Sequence, residues 1–212
     1  MITLLLTLAF INLCALLTPG PDFFFVTQTA MSCSKKAALS VVAGVTCGVL
    51  FWSFLAFLGL NIIFEKVVWL KKVLFIGGGA YLCWLGLQLL RSAFSKKKMS
   101  QGKGTQHEII VEQEKKLSRF FFKGLATNLS NPKVIIYFGN VLSLFLSNPT
   151  LEHVHVLLLL IVILETLLWF TLVALIFSLP ACKSFYQRSV KWIDGVSGGI
   201  FTIFGMFLMS NK

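Results

Sequence analysis

The chain is predicted to be an all-α integral membrane protein: six transmembrane helices forming two inverted three-helix repeats, with the first helix of each repeat broken by proline. Three observations predict it. Of 212 residues, 57% are hydrophobic and only 13% charged, with a mean hydropathy of +0.84; one soluble core cannot hide that much apolar surface. Polar residues concentrate between runs of spanning length. Prolines interrupt those runs at two matching places, T-P-G-P-D (Thr18 to Asp22) and T-N-L-S-N-P-K (Thr127 to Lys133).

The spans are placed at Ile2 to Ala30 (broken near Pro19), Ala37 to Leu60, Val73 to Leu90, Phe120 to Leu146 (broken near Pro132), Val154 to Leu179 and Trp192 to Met209. Ile2 to Leu17 has no basic flank and no small-residue cleavage site, so it is expected to be retained rather than removed as a signal peptide. Residues 1–90 make the first repeat, 91–119 a basic cytoplasmic linker and 120–212 the second repeat.

The net charge of +11 could suggest a nucleic-acid partner, but its distribution assigns it to topology. Lys35 and Lys36 follow the first span. Arg91, Lys96, Lys97, Lys98, Lys103, Lys115, Lys116, Arg119 and Lys123 follow the third, and Lys183, Arg188 and Lys191 the fifth. The alternate loops hold only Lys66, Lys71 and Lys72, and Lys212 ends the chain. Six crossings with both termini outside put every rich loop in the cytoplasm. The lysine run at Lys96 to Lys98 could dock on anionic headgroups, though a solvated topogenic loop is the simpler reading.

Nothing structural in lipid asks for a broken helix. Proline removes a backbone donor, and freed carbonyls persist only where protein or a wet cavity satisfies them. Pro19, Pro21 and Pro132 therefore mark a candidate site. Because each half holds an odd number of spans, the second half must be upside down relative to the first, as in transporters whose site lies at the repeat interface.

Ionisable residues within spans point to the same place. Asp22, Lys133 and Glu165 each fall inside a membrane run, where a charge costs about 2.5–3.5 kcal/mol on insertion scales unless paired, neutralised or facing a cavity. A buried structural pair of Lys133 with Glu165 is the plain alternative. A break exposes N–H groups that suit an anion, while freed carbonyls and a carboxylate suit a cation; both together suit a zwitterion such as a free amino acid. Asn128, Ser130, Asn131 and Tyr137, one turn beyond Lys133, are candidate contacts, and Ser or Asn before proline is equally an ordinary helix cap.

Four segments carry a family resemblance: L-x-P-G-P-D-F-F-F-V followed by K-K-A-A, G-G-G-A-Y-L-x-W-L-G at Gly77 to Gly86, F-x-K-G-L-x-T-N-L-S-N-P-K at Phe121 to Lys133, and V-K-W-I-D-G at Val190 to Gly195. Together they resemble the lysine exporter superfamily, specifically its branch conferring resistance to homoserine and threonine. The resemblance implies an exporter in the bacterial cytoplasmic (inner) membrane, driven by protons and carrying threonine, with homoserine or serine as further substrates. It implies no enzyme activity and no cofactor.

On this reading Asp22, with Gly20 beside it, receives the substrate ammonium, and Lys133 and the N–H groups after Pro132 take its carboxylate. Glu165 carries the proton, with Asp22 as a second coupling group, and one repeat rocks against the other. The rival is a six-helix membrane thiol-disulfide carrier of similar inverted plan. It needs two cysteines at the repeat interface, whereas Cys14, Cys33, Cys47, Cys83 and Cys182 are scattered and form no C-x-x-C. Glu152, His153 and His155 make a weak zinc signal, so no metal is expected. Gly44 and Gly48, Gly77 to Gly79, and Gly195 with Gly199 offer small faces for packing within the bundle, or for a homodimer interface as the lesser alternative.

Overall fold

The computed structural model describes residues 1–59, 68–94 and 106–210, and every regular element among them is helical. They are α1 (Ile2–Leu17), α2 (Pro21–Ser32), α3 (Lys35–Phe57), α4 (Val68–Phe94), α5 (Gln106–Leu129), α6 (Pro132–Leu146), α7 (His155–Phe177) and α8 (Pro180–Ser210). A 3-10 turn, Pro149–Val154, leads into α7. Lys66, Lys212 and residues 95–105, with Lys96 to Lys98 and Lys103, lie outside the described residues.

Both breaks have a local cause in the sequence. The residue before proline is driven out of the helical region, and Thr18 ends α1 in an extended conformation, its hydroxyl donating back to Cys14 O at 3.0 Å. Gly20 then caps α2, whose first helical residue is Pro21, a position where the missing N–H costs nothing. At the second break Asn131 is extended, caps α6 and precedes Pro132. The axes bend by 57° between α1 and α2 and by 51° between α5 and α6. Past its first turn α6 widens into a π-helix at Tyr137–Leu142, where the Ser143 hydroxyl donates to Phe138 O at 2.8 Å.

Among the described residues, α3, the Pro149–Phe177 helix and the two bent pairs are long and apolar enough to cross a membrane. Their outer faces are correspondingly apolar: Phe10, Leu144, Val156 and Leu168 are all exposed, which suits a hydrocarbon solvent.

One boundary differs from the sequence reading. The linker expected over 91–119 is partly helical, because α4 runs on to Phe94 and α5 starts at Gln106. The segment is polar but rich in strong helix formers, with Glu112 and Lys116 four residues apart, so low hydropathy did not signal a loop.

Glycines set two close helix crossings. A Cβ on Gly44 or Gly124 would strike the backbone of Phe121 or Val41, which fixes α3 against α5. Gly79 and Gly86 meet Gly205 and Gly198 in the same way, fixing α4 against α8. Gly77, Gly195 and Gly199, expected as packing faces, have open space around them instead. The register of these contacts makes α3 parallel to α5 and α4 antiparallel to α8. Two apolar clusters result, one around Leu8, Trp52, Leu142 and Leu158, the other around Val26, Val41, Phe170 and Phe201; the broken helices meet where the clusters adjoin.

Candidate functional site at the paired helix breaks

Each break holds the other. Asp22, in the first turn of α2, accepts hydrogen bonds on Oδ2 from Asn128 Nδ2 at 2.8 Å and Asn131 Nδ2 at 2.9 Å, both from the second break. Lys133, from the second break, donates Nζ to Ala15 O at 2.9 Å and Thr18 O at 2.7 Å, at the frayed end of α1. The carbonyls that α1 leaves unpaired thus receive a cation, as a helix C-terminus favours. Asn131 has two roles, since its Oδ1 also accepts from Lys133 N at 3.1 Å as the α6 cap.

A cavity of about 40 Å³ lies against this latch, lined among others by Asn12, Asp22, Asn128, Lys133, Tyr137 and Thr166. Three of its polar atoms are buried with no hydrogen-bond partner: Asp22 Oδ1, Asn128 Oδ1 and the Tyr137 hydroxyl. Leaving a buried polar group unpaired costs about 1–3 kcal/mol, and two of the three atoms are acceptors. Ligand pockets typically run from about 300 Å³ upward, and this cavity is far smaller.

The remaining sequence candidates fall around this centre. The end of the Lys133 side chain lies 3.5 Å from where a Gly20 Cβ would be, so Gly20 serves as a spacer beside it. Ser130 is buried and continues the α5 turn through its N–H to Ala126 O. Glu165 is half-buried on α7 and accepts from Asn12 Nδ2 at 2.7 Å. Lys133 and Glu165 each have partners other than one another.

Sequence reasoning missed Asn12 and Thr166. Asn12 is 4% exposed although it sits in an otherwise apolar sixteen-residue helix, and a lone amide in such a run was the available signal. Gly48, expected as a packing face, sits where a Cβ would collide with the Asn128 side chain; glycine there makes room for a site residue. Among the described residues no cluster of His, Cys, Asp and Glu could hold a metal. The five cysteines are free, and none lines the cavity.

A family model described as LysE type translocator matches residues 13–212. The chain belongs to the LysE type translocator family. It is therefore a transporter rather than an enzyme, and the paired breaks sit within the family-matched region. Among relatives of this LysE type chain, the threonine efflux protein of Escherichia coli strain K12 is 47% identical over 212 residues, the whole of both chains. The threonine efflux protein of Salmonella typhi is 46% identical over the same complete length. An uncharacterized membrane protein of Haemophilus influenzae is 35% identical over 208 residues, 98% of this chain and 97% of its own. No solved structure matches this chain.

Proposed function

We propose that the chain exports threonine, and with it homoserine or serine, across the bacterial inner membrane by proton antiport with alternating access. The names of its full-length relatives support the substrate. The observation that carries the site assignment is the pair of unpartnered acceptors, Asp22 Oδ1 and Asn128 Oδ1, buried beside the Lys133 cation. A substrate ammonium would satisfy the acceptors. The third N–H of Lys133, beyond the two given to Ala15 O and Thr18 O, would meet the substrate carboxylate. Tyr137 and Thr166 line the same cavity, where they suit a hydroxyl side chain.

Glu165 would take a proton from outside and release it inside, trading the Asn12 hydrogen bond for an altered one when neutral. The helix breaks would hinge between access states.

The six-span inverted arrangement belongs to this proposal, with both termini outside and repeats at 1–90 and 120–212. In its favour, alternating crossings require the second and fourth spans to be parallel and the third and sixth antiparallel, which matches the α3–α5 and α4–α8 glycine registers. Helices of 27 and 31 residues exceed the ~20 residues a bilayer needs. Near the α2–α3 turn, Lys183 Nζ donates to Cys33 O at 3.2 Å, and Ser40 Oγ of α3 donates to Leu117 O of α5 at 2.6 Å, as a shared basic end would require.

Counterflow in proteoliposomes loaded with unlabelled threonine tests the substrate. Labelled threonine should accumulate, serine and homoserine should compete, and lysine and leucine should not. Exchange of another solute without threonine would overturn the substrate while leaving the fold intact.

A further inference from the structure

Two clefts flank the α2–α3 turn, one lined by its residues Cys33 and Ser34, the other by Met31 near the end of α2. The first has a volume of about 700 Å³ and is lined by Ser34, Lys36, Arg119 and Lys123, with Cys33 at its edge. Lys183 reaches the same turn, its amine 3.2 Å from Cys33 O. Four cations from α3, α5 and α8 thus surround one turn. Of the carboxylates whose side chains are described, none lines this cleft: Asp22 and Asp194 are buried in the bundle, Glu165 is held by Asn12, and Glu152 lies in the 3-10 turn before α7. Positive charge held this closely, with no acid partner among the described side chains, favours an anion.

The second cleft, about 660 Å³, is apolar. Phe23, Phe24, Met31, Phe177, Phe185 and Trp192 are among its walls, with Phe23 and Phe177 edge to face at 6.2 Å between ring centres. Met31 of α2 lines this cleft while Cys33 and Ser34, just beyond it in the chain, line the basic one. Phe185 and Trp192 are largely exposed, at 62% and 80%, so the apolar cleft is open to its surroundings and accessible to an acyl chain.

The geometry points to a binding site for one anionic phospholipid, its phosphate-bearing headgroup among Lys36, Arg119 and Lys123 and an acyl chain along Phe24 and Trp192. An ordinary topogenic patch needs only the charges. The apolar cleft across the same turn is what selects a lipid over a soluble anion.

Native mass spectrometry of the full-length protein in detergent, titrated with phosphatidylglycerol or phosphatidylethanolamine of identical chains, tests this. The wild type should prefer phosphatidylglycerol. Lys123→Gln should weaken its binding about five-fold, the effect of roughly one charge near an anionic surface, and the combined Lys36→Gln, Arg119→Gln and Lys123→Gln variant should lose the preference. Lys36→Arg with Lys123→Arg should keep it, as should Lys72→Gln, whose charge lies outside the cleft. A short-chain phosphatidylglycerol should bind more weakly, and glycerol phosphate at millimolar concentration should not displace the lipid. Equal binding of the two lipids, an undiminished preference in the triple variant, or displacement by glycerol phosphate would overturn the assignment, the last in favour of a soluble anion.

Discussion

Asn131 donates its side-chain amide to Asp22 at 2.9 Å, joining two helix breaks 109 residues apart in sequence. With Lys133 reaching back to Ala15 and Thr18, the bond makes the two interruptions one reciprocal structure. Each break supplies what the other lacks: amide donors for a buried carboxylate, and a cation for stranded carbonyls.

Substitutions at Asn131 separate a latch from a plain helix cap. Asn131→Ala removes one charge-assisted hydrogen bond and the α6 cap, so thermal stability in detergent should fall by about 1.5–3 kcal/mol. Asp is as good a cap as Asn, yet Asn131→Asp sets a second carboxylate against Asp22 and should be worse than Ala for both melting temperature and efflux.

Lys133→Met leaves the Ala15 and Thr18 carbonyls and the Asp22 carboxylate without their half-buried cation. Breaking a fully buried charged contact from one side costs about 3–5 kcal/mol, and less for a half-buried one, so the variant should melt earlier and export nothing. Lys133→Arg keeps the charge and should recover much of the stability but not the transport rate, because the bulkier fork enters a cavity of about 40 Å³.

Glycine substitutions should sort by what a methyl would meet. At Gly44 the obstacle is the Phe121 backbone, and Gly44→Ala should destabilise by about 1–3 kcal/mol through overpacking. At Gly48 the obstacle is the Asn128 side chain, so Gly48→Ala should depress threonine exchange more than stability. Gly77 has open space around it, and Gly77→Ala should be neutral or stabilising by up to about 1 kcal/mol through helix propensity.

Glu165→Gln keeps the size and the link to Asn12 but removes the titratable group. Exchange of threonine for threonine should survive, while uphill movement driven by an imposed pH gradient should be lost. Dependence on the gradient equal to the wild type would remove Glu165 from coupling.

The helix breaks were legible because proline and glycine act locally: Pro19, Pro21 and Pro132 stop helices whatever surrounds them. Asp22 and Lys133 stood out because charges are rare in apolar runs. Their partners were not legible. Nothing in spacing says that Lys133 reaches the carbonyls of α1, or that Asn128 and Asn131 converge on one carboxylate oxygen, since both facts depend on two bends seen together. Asn12 was hidden by its neighbours, a single amide in an apolar helix. The helical start of α5 at Gln106 was missed for the opposite reason, because its polarity resembled a loop while its residues favour a helix.

The central claim is that the Asp22 carboxylate receives the substrate ammonium, and exchange of labelled threonine by Asp22→Asn in proteoliposomes, without a pH gradient, tests it most directly. Loss of a buried charge contact of about 3–5 kcal/mol predicts that exchange falls by more than about a hundred-fold while the protein stays folded and membrane-inserted. Wild-type exchange by folded Asp22→Asn protein would contradict the claim.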